Sequence, residues 1–150
     1  MMFVLDTNVV SELRKAKAGK ADRNVAAWAS GVPADALFVS AITILELETG
    51  VLLVQRRDPK QGALLRTWLD QHVLTAFSGR VLPVDIAVAQ RCAALQVPDP
   101  RSERDALMAA TAMVHSMIVV TRNVADFTAT GVPLINPWDT VARPGGRGAR

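Results

Sequence analysis

Phe3-Val4-Leu5-Asp6-Thr7-Asn8 begins the chain with three large apolar residues that stop at an acid. A run this short and this apolar reads as a strand buried on both faces, and Asp-Thr-Asn behind it reads as a helix start. That helix is expected to pass through Glu12 to Lys15 and to end in the Lys/Ala/Gly stretch around Gly19. The pattern then repeats. Leu37-Phe38-Val39-Ser40 leads into a helix predicted over 41–57, and Val81 to Val84 into one over 86–96. A helix over 105–117 feeds the apolar run Ile118 to Thr121, and Leu134-Ile135 is a last short strand. A short helix is expected over 24–30, and a longer one over 60–78 with Leu64, Leu65, Trp68, Leu69, His72 and Val73 at core spacing. Wholly apolar strands separated by helices imply an α/β protein with a parallel sheet covered on both faces.

At 150 residues this is the length of one domain, read as 1–140. Residues 141–150 read as a basic, disordered tail, since the stretch from Arg143 through Arg147 to Arg150 has no apolar residue larger than Ala or Pro. Half the residues are apolar and there is no Tyr, so the core must be largely aliphatic. The single cysteine, Cys92, excludes an internal disulfide and fits a reducing compartment. The start shows no signal-peptide pattern, and no apolar run approaches the ~20 residues of a membrane span. A soluble, cytoplasmic protein is expected. The net charge of +3 permits a polyanionic partner without demanding one. Its basic residues fall in clusters: Arg14 to Lys20, Arg56 to Lys60, and the tail.

Four acids stand out by position. Asp6 lies where the first strand stops, at the carboxyl edge where open α/β sheets bind ligands, although it also suits an N-cap. Glu46 shares a narrow stripe with Thr43 and Gly50 on a helix that is apolar nearly all round. Flanked by Ile42 and Leu53, it is costly to bury unless it is paired or bound to a cation. The plainer reading is that Glu46 is exposed or salt-bridged to a nearby Arg, but Glu48, on another stripe, is the better candidate for that bridge. Asp105 follows Ser102 in a capping-box pattern. Asp126 reads as a loop residue beyond the Ile118–Thr121 strand. Asp85, Asp99 and Asp139 are assigned to loops and caps.

In a parallel sheet all strand carboxyl ends share one edge, so Asp6, Glu46 and Asp126 can meet there. Asp105 joins them if its helix begins at the same edge. Crowded carboxylates repel, by about 4 kcal/mol for a pair at about 4 Å and an effective dielectric of about 20. Such a cluster needs bound cations or retained protons. An all-oxygen set without His or Cys favours Mg2+ or Mn2+ over Zn2+. Ions of that kind suit phosphate chemistry, in which a metal-activated water attacks phosphorus.

These stretches resemble a known family. Phe-Val-Leu-Asp6-Thr-Asn-Val-Val-Ser-Glu-Leu-Arg is similar to the opening motif of PIN-domain toxins of the VapC type, in particular the FitB-like branch. Ser40-x-x-Thr43-x-x-Glu46-Leu-x-x-Gly50 resembles the second motif, Asp105-Ala-Leu-Met-Ala-Ala-Thr-Ala the third, and Val-Thr121-Arg-Asn123-Val-Ala-Asp126-Phe the fourth. The closing Gly131-Val-Pro-Leu-Ile-Asn-Pro-Trp138 is similar as well. The resemblance implies a PIN domain with a parallel sheet of four to five short strands flanked by helices. It implies that Asp6, Glu46, Asp105 and Asp126 hold Mg2+ or Mn2+ and cleave single-stranded RNA regions endonucleolytically. Thr7, Asn8, Thr43, Thr121 and Asn123 would then be supporting residues. It further implies a homodimer and a cognate VapB/FitA-like antitoxin that covers the site and alone contacts operator DNA. One departure is visible: many relatives have His-Gly where this chain has His115-Ser116. Both His115 and His72 read as structural.

Other chemistries fit worse. A haloacid-dehalogenase-type phosphatase needs a second Asp where Asn8 stands, and Asn cannot serve as an acid or base. There is no Gly-x4-Gly-Lys-Ser/Thr and no Gly-x-Ser-x-Gly. The remaining rival is a catalytically silent protein that binds RNA or acts as co-repressor with the antitoxin.

Overall fold

Phe3 to Leu5 form β1, and its three side chains are buried. Phe3 and Leu5 point to one face of the sheet and Val4 to the other, as the alternation of a strand requires. The computed structural model describes residues 1–139, so the predicted tail lies outside the described residues. In chain order the elements after β1 are α1 (Thr7–Leu13), α2 (Arg23–Ser30), β2 (Leu37–Ser40), α3 (Ala41–Arg57) and α4 (Pro59–Thr67). A wider π-helical stretch, Trp68–Val73, joins α4 to α5 (Leu74–Ala76). Then follow β3 (Val81–Leu82), α6 (Ile86–Leu95), α7 (Glu103–Val114), β4 (Ile118–Val120), α8 (Val124–Phe127) and β5 (Leu134–Ile135).

All five strands are parallel, in the order β3-β2-β1-β4-β5. β1 is central: Phe3 pairs with Leu37 on one side and Ile118 on the other. Helices cover both faces. Phe3, Leu5, Val39 and Val120 pack with Val9 and Val10 of α1, Leu47 and Val51 of α3, and Leu69 and Val73 of the π-helical stretch. Val4 and Val119 pack on the other face with Met108, Ala109 and Ala112 of α7, and with Phe127. Small alanines let α7 lie close both to the sheet and to Val88 and Cys92 of α6.

Several expectations need correction. The 60–78 helix is one axis with a π-helical interruption, and Leu64 on it is 66% exposed. The apolar girdle of α3 is only partly buried: Leu45, Leu52 and Leu53 face outward, so Leu53 does not desolvate Glu46. α7 begins at Glu103 and ends at Val114, short of Met117. Asp126 lies in the first turn of α8, a helix the sequence reading missed because four residues are too few to show a period.

Candidate functional site

The strand order puts the ends of β2, β1 and β4 side by side, and the four acids are delivered to that edge. Asp6 caps α1 directly behind β1 and is 9% exposed. Its Oδ1 accepts the backbone N–H of Thr7 at 2.8 Å. Its Oδ2 accepts the Thr121 hydroxyl at 2.7 Å and the Asn8 amide at 3.3 Å. The N-cap role foreseen for Asp6 is therefore real and coexists with its place at the site.

Glu46 sits in the second turn of α3, behind β2, with its side chain 28% exposed. Thr7 donates its hydroxyl to Glu46 Oε1 at 2.5 Å, and stands 3.3 Å from the hydroxyl of fully buried Thr43. The other carboxylate oxygen faces Arg104, whose Nη1 is 3.6 Å from Oε2. Pairing with a nearby arginine was the plainer reading of Glu46, and Arg104 supplies that partner. Glu48 does take the role assigned to it, in a two-pronged bridge to Arg66 of α4 at 2.9 and 2.5 Å.

Asp105 lies in the first turn of α7, where its N–H donates to the Ser102 hydroxyl at 3.5 Å. α7 runs back antiparallel to β4, so it starts at the same edge. Asp126 is held at the start of α8, its N–H donating to the Asn123 carbonyl at 3.0 Å. Asn123 in turn donates its N–H to the Thr121 hydroxyl at 2.9 Å, so one threonine ties Asp6 to the segment bearing Asp126. The Asn123 side chain makes no cap bond.

The four acids feel one another. Burial pushes the Asp6 carboxyl above its ordinary 3.8, Thr121 and the Thr7 N–H oppose this, and the charges of Glu46 and Asp126 add to it. Asp105 is raised by burial and then by Asp126, Asp6 and Glu46. Among the described residues no three His, Cys, Asp or Glu side chains stand close enough to hold a metal ion as they are. The acids are thus coupled through charge rather than in contact. In donor chemistry they fit a hard divalent cation: oxygen only, negative, with two of their carboxyls displaced in the direction that a cation would reverse.

A parallel sheet ordered in this way, with one acid capping α1 and three carried by α3, α7 and α8 at its carboxyl edge, defines a PIN domain. The chain belongs to that family, whose model matches residues 3–131. Among proteins it resembles, it is 38% identical over 143 residues to VapC ribonuclease Y4jK of Sinorhizobium fredii (strain NBRC 101917 / NGR234). That match covers 92% of this chain and 99% of the relative. It is 36% identical over 142 residues to toxin FitB of Neisseria gonorrhoeae (strain ATCC 700825 / FA 1090), covering 91% and 99%. The structure of FitAB bound to an IR36 DNA fragment superposes with a TM-score of 0.84 at 33% identity, over 95% of this chain and all of that one.

The identity of Arg104 as the partner of Glu46, and the surroundings of Trp68 and Trp138, were not legible in the residues alone. A surface arginine beside a site acid has no periodic signal. Arg104's adjacency to Asp105 was the only available hint.

Proposed function

We propose that this protein is a Mg2+- or Mn2+-dependent endoribonuclease and the toxin half of a toxin–antitoxin pair. The observation behind this is the delivery of Asp6, Glu46, Asp105 and Asp126 to one sheet edge, coupled by charge and lacking resident neutralising groups beyond Arg104 among the described residues. Nuclease activity is supported by membership of the family and by likeness to a VapC ribonuclease.

Asp6, Glu46, Asp105 and Asp126 would hold the cation, which supplies Lewis-acid stabilisation of the charge that builds on a phosphoryl group. The chain's own contribution is positioning. Thr121 and Asn8 fix Asp6 Oδ2, and Thr7 fixes Glu46 Oε1, so neither carboxylate is free to rotate away. Arg104 pairs with Glu46 Oε2 and offers a positive group at the rim, where a phosphate would arrive.

Partners belong to the same reading. Likeness to toxin FitB, and to FitAB assembled on DNA, supports a cognate antitoxin of the VapB/FitA kind that covers the site and makes the DNA contacts. A homodimer and a cytoplasmic setting are part of this reading; no helix among the described residues is long and apolar enough to cross a membrane. The test is RNA cleavage by antitoxin-free protein with Mg2+ or Mn2+. Cleavage should vanish with EDTA and with Asp6→Asn. RNA bound but left uncut with either metal would favour the silent binding protein instead.

A further inference from the structure

Beside the acids a cavity of about 520 Å3 opens between α1, α3, α4 and the segment after β5. This is within the roughly 300–1,000 Å3 of ordinary ligand clefts. Thr7, Asn8 and Glu46 form the end nearest the acids, and Trp68 and Trp138 are among its other walls. Each indole has a guanidinium over it. Arg14 lies 5.7 Å from the Trp68 ring centre and Arg122 lies 5.2 Å from that of Trp138.

The Trp138 platform is anchored to the catalytic edge. Arg122 directly follows Thr121, and its N–H donates to Asn8 Oδ1 at 3.3 Å. Asn24 donates to the Trp138 carbonyl at 2.8 Å, and the Trp138 N–H donates to Asn136 Oδ1 at 2.9 Å. Lys15 also stands at the rim, paired with Glu12 at 3.2 Å. The nearby Glu12 is already engaged by Lys15 and the Asp22 N–H. Guanidinium planes lying on indoles, with positive charge at the rim, are flat surfaces of the kind that an unpaired base and its phosphates recognise. A paired base keeps its faces stacked inside the helix and cannot use them.

We propose that this cavity is a stacking subsite for an unpaired nucleobase of single-stranded RNA. Trp68 and Trp138 with their covering arginines form its platforms, and it seats the neighbouring phosphodiester against the acids. The inference rests on the nuclease reading above and names how that site would select unpaired RNA.

The test titrates the full-length protein, in EDTA, with a mixed-sequence single-stranded oligoribonucleotide and with a strand of the same length whose riboses are abasic. Trp28 packs edge-on against Phe3, 5.3 Å away, and serves as a constant background to the emission. The base-bearing strand should quench tryptophan fluorescence and the abasic strand should not. Trp68→Leu and Trp138→Leu should each weaken binding about 5- to 100-fold, the loss expected for one stacked base. Trp138→Phe should restore most of it, and Arg122→Gln should lower the salt slope by about one. Equal quenching by both strands, or leucine variants that bind like the wild type, would overturn the subsite. Cleavage with Mg2+ is followed in parallel. RNA cut at wild-type rates by both leucine variants discards the subsite and keeps the nuclease, whereas neither binding nor cutting discards both. Quenching by a partner polypeptide but not by RNA would make the cavity a protein-docking surface, and the inference would fail.

Discussion

Ser116 adopts a left-handed backbone with φ of 55° as it closes α7. The Met117 N–H reaches the Ala112 carbonyl at 2.8 Å and the Ser116 N–H reaches Met113 at 3.2 Å, the two bonds of a Schellman ending. Glycine takes that conformation without the steric cost a side chain meets, which accounts for the His-Gly found in many relatives. Ser116→Gly should therefore stabilise the protein by about 1 kcal/mol, seen as a melting temperature raised by a few degrees. Arg104 raises a different question, because it pairs with an acid that a divalent ion would need. Its side chain is 52% exposed and the gap is 3.6 Å, so the pair is weak. Arg104→Ala should tighten Mn2+ binding about two- to fivefold, measured by titration calorimetry without RNA. Weaker binding in the variant would mean that Arg104 helps to hold the site open for the ion.

α3 and α4 form a tight hairpin because Gly62 is nearly in contact with Gln55. A Cβ at Gly62 would stand 2.4 Å from the Gln55 Cα and 2.8 Å from its backbone nitrogen, and backbone cannot step aside. Gly62→Ala should thus cost about 1–3 kcal/mol by overpacking, read from denaturant unfolding. The hairpin is also clamped by the Glu48–Arg66 bridge, so α3 is held rigidly behind Glu46. The strands and most helices were readable from residues because their signals are local. Apolar triplets mark β1 and β4, and Asp6, Ser40, Asp85 and Ser102 cap α1, α3, α6 and α7. Which face of α3 is left to solvent was not readable, since Leu45 and Leu53 differ from Leu47 only in what lies opposite them. The π-helical stretch and α8 were hidden for the same reason: neither is long enough to impose a period. At the site, the acids could be placed by topology, but Thr7 bonding Glu46 across 39 positions is decided by tertiary packing alone.

The acids set how the whole molecule responds to pH. Asp6 and Asp105 are raised above 3.8 by burial and by their like-charged neighbours, so between the unfolded and folded values the native state holds more protons. Stability then falls as pH rises through that window, and the loss persists at neutral pH. Glu12 and Glu48 are lowered, chiefly by hydrogen bonds from the Asp22 N–H and from Arg66, and work in the opposite sense. Comparison with Asp6→Asn isolates one carboxyl. Without metal, the variant should melt close to wild type near pH 4 and above it at pH 7. Mn2+ should shrink or reverse the gap at pH 7, as differential scanning fluorimetry would reveal. The strand order has a further consequence for biosynthesis. Since β1 lies between β2 and β4, Asp6 is made first yet gains its Thr121 partner only when the final fifth of the chain is present. A nascent polypeptide emerging from the ribosome has no complete acid edge until that last portion is free. A nascent chain that lacks Thr121 and Asp126 has not assembled the proposed site, so the proposed nuclease would stay silent until they fold in.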